Sequence, residues 1–549
     1  MTRQTDAIKG RDDMIRNNTG GVVFRVSDMD RLDRFLVLGS TGNSYQSGSQ
    51  LAKENAQNVI ALLRKDPKGV IDRTVEISKA GRAPKNEYAL YVLALAASDA
   101  NVETRRMALE ALPQVARTGT HLFDFVSYAE QFRGWGRALR RAVGAWYSEK
   151  TVDALAYQAV KYQSRNGWSN SDLLRLAHPK AENDEFDAVY RWIVGGVEAT
   201  KASNYERGKT NKVKIRRKDV SGSLPAIIQA FEEAKGAGEN RIVQLIRDHN
   251  LPREAVPTEH LNSKVVWEAL LEKMPMTAMV RNLATMTRNG VFDTKSNVDK
   301  VIAQLSDMDH LRKSRIHPMQ VLMALRTYGA GRGVRGSNVW TPNRDVEAAL
   351  DKAFYLTFGN VTPTNKKTVL ALDVSGSMGS PINGFVGLTA REASMAMALI
   401  TAKVEPDVRL IAFTQGGWSN GNSSRSYYGS SVKEVKIDPN GTLAKAVRDT
   451  ANMPFSGTDC SLPVLWADSV GYAAENFSVY TDNETYAGSI QPSEALQKFR
   501  GKHNVASKLA VFGMTATNFT IADPNDGGMM DFAGFDTAAP ELAQQFFAK

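Results

Sequence analysis

Two short apolar runs constrain this chain more than any other feature: Thr368-Val-Leu-Ala-Leu372 and Phe477-Ser-Val-Tyr-Thr481. Each is too short and too uniformly apolar for an amphipathic helix. Each reads as a strand buried on both faces, the pattern of a parallel sheet covered by helices. Each also ends on a carboxylate, Asp373 and Asp482. Open α/β sheets bind ligands at the carboxyl edge of their strands, so both acids are placed where chemistry is done.

The residues around those acids fit one kind of ligand. Asp373-Val-Ser-Gly-Ser377 sets a carboxylate and two hydroxyls at i, i+2 and i+4, and Ser456-Gly-Thr-Asp-Cys-Ser461 adds a Gly-Thr turn ahead of a helical segment. Asp482 closes the set on a third loop, followed by Asn483 and Glu484. Oxygen-only donors suit a hard divalent cation, magnesium above all, which keeps waters and accepts an outside ligand. An Asp-x-Ser-x-Ser string alone is also compatible with a plain strand-ending turn. Three strand-edge loops in order resemble a von Willebrand factor A domain with its metal-ion-dependent adhesion site. Motif matched to motif, that resemblance implies Asp373, Ser375, Ser377, Thr458 and Asp482 as the metal ligands.

The first 360 residues have a different texture. Apolar residues recur at helical spacing through Leu51–Arg64, Val70–Lys79, Glu87–Ala97, Val102–Ala116, Leu122–Gln131 and on to Pro318–Thr327, joined by short turns. A series of short paired helices suits an α-solenoid; an irregular helical domain fits the same pattern. Charge divides along the same line. Residues 1–360 carry 54 Lys and Arg against 41 Asp and Glu, a net +13, whereas residues 361–549 carry 15 against 18, a net −3. A basic helical part joined to a mildly acidic one points to a polyanion, nucleic acid, as the ligand of the first.

Its cations fall on lines. Arg133, Arg137, Arg140 and Arg141 share one face if Phe132–Ala142 is a helix, with Trp135 beside them. Tyr157, Lys161 and Arg165 stand at i, i+4 and i+8, which on one helix makes an aromatic and cationic stripe. The stripe leads through Asn166-Gly-Trp-Ser-Asn170 into a short helix that ends at His178-Pro179. Phosphates favour Arg and Lys, and unpaired bases stack on aromatic rings and guanidinium planes. A charged stripe also serves as an ordinary solvated helix face. Lys209–Lys218 reads as an exposed basic loop that either grips phosphate or stays in solvent.

At 549 residues the chain holds several domains. No apolar run approaches the ~18–20 residues of a membrane span, and Met1-Thr-Arg-Gln-Thr-Asp6 lacks a secretory pattern. A single cysteine, Cys460, rules out a disulfide within the chain, so a cytoplasmic location is expected without a membrane partner. The seven histidines fall in no spacing with a Ser or Cys nucleophile, and two carboxylates with three hydroxyls are a poor set for two-metal hydrolysis. The expectation is a binding protein, not an enzyme.

The order of basic helices before an A-type domain, with local strings, resembles the Ro ribonucleoprotein autoantigen family. The strings are Arg34-Phe-Leu-Val-Leu-Gly-Ser40, Gly134-Trp-Gly-Arg-Ala-Leu-Arg140, Lys161-Tyr-Gln-Ser-Arg-Asn-Gly-Trp-Ser169, Asp172-Leu-Leu-Arg-Leu-Ala-His178, Gly457-Thr-Asp-Cys-Ser-Leu-Pro463 and Tyr480-Thr-Asp-Asn-Glu-Thr485. The resemblance implies a multidomain fold: an all-α, HEAT-like helical-repeat ring over residues 1–360, the TROVE module, then a doubly wound α/β von Willebrand factor A domain over 361–549. It implies Y-like small noncoding RNAs bound on an outer surface that includes Lys161, Arg165 and His178. It further implies single-stranded 3′ ends of misfolded RNAs in a central hole, with Arg137, Arg140 and Arg141 near the interior, and a 3′ exoribonuclease recruited through RNA. A metal-dependent adhesion module that takes an acidic side chain of a protein partner is the alternative function. The Gly- and Ser-rich segment 416–431 is long for an A domain, and the polar Thr2–Asn18 segment is expected to order only when the ring closes.

Overall fold

The computed structural model describes residues 1–40, 48–207, 213–333, 337–358, 361–382, 388–415, 431–436, 442–443, 445–446 and 456–549. The chain forms two compact units that interleave in sequence. One comprises Met1–Arg64, Ala80–Tyr88 and Ile302–Lys549; the other comprises Lys65–Lys79 and Ala89–Val301. The cut at residue 360 suggested by charge is therefore crossed by the first unit, which gathers both ends of the chain.

The first unit is built on a six-stranded sheet. Its order is Met529–Ala533, Lys508–Gly513, Asn476–Thr481, Thr368–Asp373, Val408–Phe413 and Val432–Glu434. Neighbouring strands are parallel except the last, which pairs antiparallel with Val408–Phe413. The sheet is thus mixed, with an antiparallel edge on an otherwise parallel core. Thr368–Asp373 and Asn476–Thr481 are buried along their whole length, as continuous apolar runs require when both faces are covered. Val369, Ala371, Val479, Leu509 and Val511 pack there against Leu462, Leu496 and Phe499 from the helices. The two central strands lie side by side in register, Leu372 opposite Tyr480, so Asp373 and Asp482 emerge at one edge.

The chain's beginning belongs to this unit too. Met14–Arg16 and Val22–Arg25 pair antiparallel, and the latter pairs with Phe519–Thr520. Helix Asp28–Leu38 follows, capped by Ser27, and sends Arg34 into the interior to Asp531 at 2.5 Å and to the carbonyls of Thr517 and Phe519.

The second unit is mainly helical. Its helices include Glu87–Ala97, Val102–Val115, Gly119–Phe132, Arg137–Ser148, Val152–Lys161, Asn170–Ala177, Asp184–Gly195, Glu239–His249, Lys264–Glu272 and Met276–Arg288. Three expectations change here. Residues 133–136 are not helical, because the glycines flanking Trp135 stop any helix until Arg137, so Arg133 leaves the arginine face. The helix Val152–Lys161 ends before Arg165, which removes the i, i+8 stripe. Arg165 sits instead in a hairpin, Ser164–Arg165 against Trp168–Ser169, whose Asn166 and Gly167 both have positive φ, 52° and 80°. An Asn-Gly pair is the strongest two-residue hairpin signal, and here it overrides helical periodicity. Of the expected loop Lys209–Lys218, residues 209–212 lie outside the described residues, and Val213–Arg217 forms a strand that pairs antiparallel with Ser203–Arg207. Segment 416–430 lies outside the described residues.

Candidate metal site and basic surface

All five sequence-assigned metal ligands are buried in the first unit. Asp373 ends its strand with one carboxylate oxygen accepting the Ser375 amide at 2.9 Å and the other accepting the Thr481 hydroxyl at 2.7 Å. Ser375 and Ser377 hydroxyls lie 3.3 Å apart, and Ser377 also bonds Asp482. The loops are tied together by backbone: Gly376 donates to the Ser456 carbonyl, and Tyr486 and Ala487 both donate to the Thr458 carbonyl.

Burial raises the Asp373 carboxyl above its ordinary value, although hydrogen bonds from Ser375 and Thr481 oppose the shift. Asp482 is pushed well above by burial first, then by repulsion from Asp373 and Glu484. Two buried carboxylates that repel each other, beside hydroxyls, are costly without a compensating cation. The Thr458 hydroxyl supplies the sharper test. It is fully buried and finds no hydrogen-bond partner among the described residues, an unusual state for a buried polar atom. Metal coordination would satisfy it. The residues therefore fit a hard cation held by oxygen, and a small cleft lined by Ser377, Met378, Ile382, Asp482, Met514 and Thr515 lies beside them. Among the described residues no group of three or more His, Cys, Asp or Glu side chains could hold a metal ion, so hydroxyls are essential to this set. Cys460, next in chain to the ligand loop, is buried and its thiol is pushed well up by that burial, so it is packing rather than nucleophile.

Three supporting residues escaped the sequence reading. Thr481 fixes the Asp373 carboxylate, as above. Arg391 reaches back from its helix to the carbonyls of Val374 and Ser375, at 2.8 and 3.2 Å. The signal for that helix start was present as Thr389-Ala-Arg-Glu392, a capping box. Gln4 had no local signal. Its amide nitrogen donates to Asp459 at 2.7 Å, and its oxygen accepts from Thr485 at 2.5 Å and from the Gly488 amide at 3.1 Å. Asn17 donates to the Thr485 carbonyl at 2.7 Å and Asn18 bonds Glu484. The polar N-terminal segment is thus ordered against the loops that carry Thr458 and Asp482.

In the second unit the proposed RNA-contacting residues occupy adjoining elements. Arg137, Arg140 and Arg141 are all exposed on the helix Arg137–Ser148. At 100° per residue they flank the direction of Gly144, where an added Cβ would meet Pro179 and Ala177. The arginines therefore line the side of that helix that faces the end of Asn170–Ala177 and the His178 turn. Trp135 and Trp168 meet at 5.7 Å between ring centroids and join the two elements at their other end.

His178 is exposed and takes the left-handed conformation, φ 48°, that ends its helix. Arg165 is 53 % exposed at its side chain and holds Asp124 at 2.9 Å, which also accepts from Asn166. Lys161 is half-buried, its ammonium 5.4 Å from the ring centroids of both Tyr157 and Tyr162. Lys161 thus ends its helix, Arg165 stands in the hairpin and His178 closes the following helix, rather than all three lying along one helix.

Comparison with known proteins agrees across the chain. Residues 15–327 match the family model described as the TROVE domain, and residues 367–547 match the Ro60 vWA domain. The chain is 40 % identical over 548 residues to RNA-binding protein RO60 of Deinococcus radiodurans, covering 99 % of this chain and 96 % of that one. It is 36 % identical to RNA-binding protein RO60 of Caenorhabditis elegans, over all of this chain and 91 % of the other. The crystal structure of the Deinococcus radiodurans RO (RSR) protein superposes with a TM-score of 0.67 at 37 % identity, covering 95 % of this chain and 99 % of that one. The chain belongs to the Ro60 family of proteins, which join a TROVE domain to a von Willebrand factor A domain.

Proposed function

We propose that this chain is an RNA-binding ribonucleoprotein component that acts by holding RNA, without catalysis of its own. The observation that carries the reading is the group of exposed side chains, the cations Arg137, Arg140, Arg141 and Arg165 with His178, set on adjoining elements around the Trp135–Trp168 pair. Guanidinium groups and ammonium neutralise phosphate, and exposed ring faces accept unpaired bases. Two relatives that share the full length of the chain are named for RNA binding. The surface of Lys161, Arg165 and His178 takes a structured, Y-like RNA; the Arg137–Arg141 helix takes a single-stranded 3′ end of a misfolded RNA. A 3′ exoribonuclease joins through the RNA, and the complex works in the cytoplasm.

The test is filter binding of a structured small RNA across a salt series. Replacing Lys161, Arg165 and His178 together by Ala should weaken binding about a hundredfold and flatten the salt slope. Unchanged affinity sinks the assignment. Removing the single-stranded tail from a misfolded RNA should weaken its binding; equal affinity argues against a separate tail site.

The metal site supports a second role, as a protein socket. Mg2+ held by Asp373, Ser375, Ser377, Thr458 and Asp482 would take an Asp or Glu of a protein partner as a further ligand, and the unsatisfied Thr458 hydroxyl favours this. EDTA should abolish capture of such a partner while leaving RNA affinity in place. Loss of both together would tie the metal to RNA binding instead.

A further inference from the structure

A shallow cleft opens in the second unit between the helices Val152–Lys161, Glu239–His249, Lys264–Glu272 and Met276–Arg288. Its walls are apolar where Leu251, Pro252, Met274 and Pro275 meet, and Tyr157 and Asn282 stand among them. Its mouth is cationic. Lys161 reaches it as a half-buried ammonium over two tyrosine rings, and Arg253 stands exposed beside it. Glu254, on the same rim, acts on the Lys161 ammonium through space. The remaining charges nearly cancel: Arg247 holds Glu272 at 3.0 Å, Lys273 donates to the Arg247 carbonyl at 3.1 Å, and Glu254 is the other carboxylate at the rim.

We propose that this cleft receives one unstacked nucleotide of a bound RNA, its base between the apolar wall and Tyr157, its phosphate on Lys161 and Arg253. The proposal deepens the RNA-binding reading and rests on it. Charge complementarity selects the ligand, since a rim with four cations, Lys161, Arg247, Arg253 and Lys273, against two carboxylates, Glu254 and Glu272, at the mouth of an apolar slot matches a planar ring carrying a phosphate. Concavity selects its state. A paired A-form helix offers phosphates and sugars on a convex surface and cannot enter a cleft, whereas a splayed base can. Lys161 would then serve two contacts at once, as the edge of the outer surface and as the lip of the pocket. That explains why its ammonium is tucked over tyrosines while Arg165 and His178 project into solvent.

The test compares two RNA hairpins, one fully paired and one with a single bulged 2-aminopurine. The full chain should bind the bulged hairpin about tenfold more tightly and change the 2-aminopurine emission as the base enters. Ala278→Trp, which fills the cleft from the helix Met276–Arg288, should erase that preference and the emission change while retaining the paired hairpin. Arg253→Ala, at an exposed position that leaves folding intact, should lower affinity for the bulged hairpin more than for the paired one. Equal losses for both hairpins would make Arg253 a plain phosphate contact and overturn the pocket. A preference that survives Ala278→Trp would overturn it too, as would displacement of the bulged base by hexaglutamate at equal concentration, which would mark an acidic-peptide site. Failure of the wild-type chain to bind either hairpin would instead defeat the RNA-binding reading itself.

Discussion

The two units handle polarity in opposite ways. In the first, polar side chains are buried and joined across hundreds of residues: Gln4 to Asp459, Arg34 to Asp531, Arg82 to Asp536. In the second, Arg137, Arg140, Arg141 and Arg165 are exposed and Lys161 is half-buried, and ion pairs lie at the surface, as with Arg106 between Glu103 and Glu110. The difference suits the ligands proposed for each unit. A metal site needs oxygen atoms held to fractions of an ångström, so its surroundings must be rigid. An RNA surface needs charge in reach of phosphate, and free side chains deliver it.

The contrast is broken most forcefully at Arg34. Its side chain is buried and pairs with Asp531 while bonding two carbonyls, so Arg34→Ala leaves a carboxylate and two carbonyls without their partner. The expected loss is about 3–5 kcal/mol, read as a drop in the denaturant midpoint. The same substitution at Arg106, more than half exposed, should leave the midpoint nearly unchanged. Equal costs would erase the distinction between the units.

A smaller effect is expected from pH. His317 is buried in the first unit with Nδ1 accepting the Met319 amide and Nε2 facing the Arg82 carbonyl, both at 3.1 Å, which assigns the proton to Nε2. Burial pulls its pKa down to about 4. The folded state therefore keeps it neutral while the unfolded chain takes up a proton below about 6.5. Its contribution is complete above that value and is lost as pH falls towards 4, about 3 kcal/mol in all. Hydrogen exchange of residues 80–88 against pH should show this weakening, and His317→Gln should flatten it. A flat profile in the unaltered chain would contradict the buried neutral ring.

How much of this could be read from the chain depended on the range of the interaction. The central strands were legible because a strand covered on both faces must be apolar throughout, and the positions of Asp373 and Asp482 because they end such strands. Val432–Glu434 was not, being three residues long at the sheet's edge with one buried position. Helices such as Glu87–Ala97 were read to the residue, since periodicity is a local property. The hairpin at Arg165 was legible in principle through Asn166-Gly167, but periodicity from Tyr157 outweighed it. Gln4 and Arg34 were beyond reach: each is a polar residue in a plain context whose partner lies more than 450 positions away.

The hairpin also provides the mildest and most discriminating test of the comparison. Arg165 is half exposed, and its partner Asp124 keeps a hydrogen bond from Asn166 at 2.7 Å when the guanidinium is removed. Arg165→Ala should therefore cost at most about 1 kcal/mol of stability. Its effect on RNA should be larger than its effect on folding, with the salt slope of binding falling by about one. Measured together by thermal melting and salt-dependent binding, the two numbers separate a cation kept for a ligand from one kept for the fold. If melting fell steeply while the salt slope held, Arg165 would be a structural group like Arg34, and the second unit would owe its exposed charge to packing rather than to RNA.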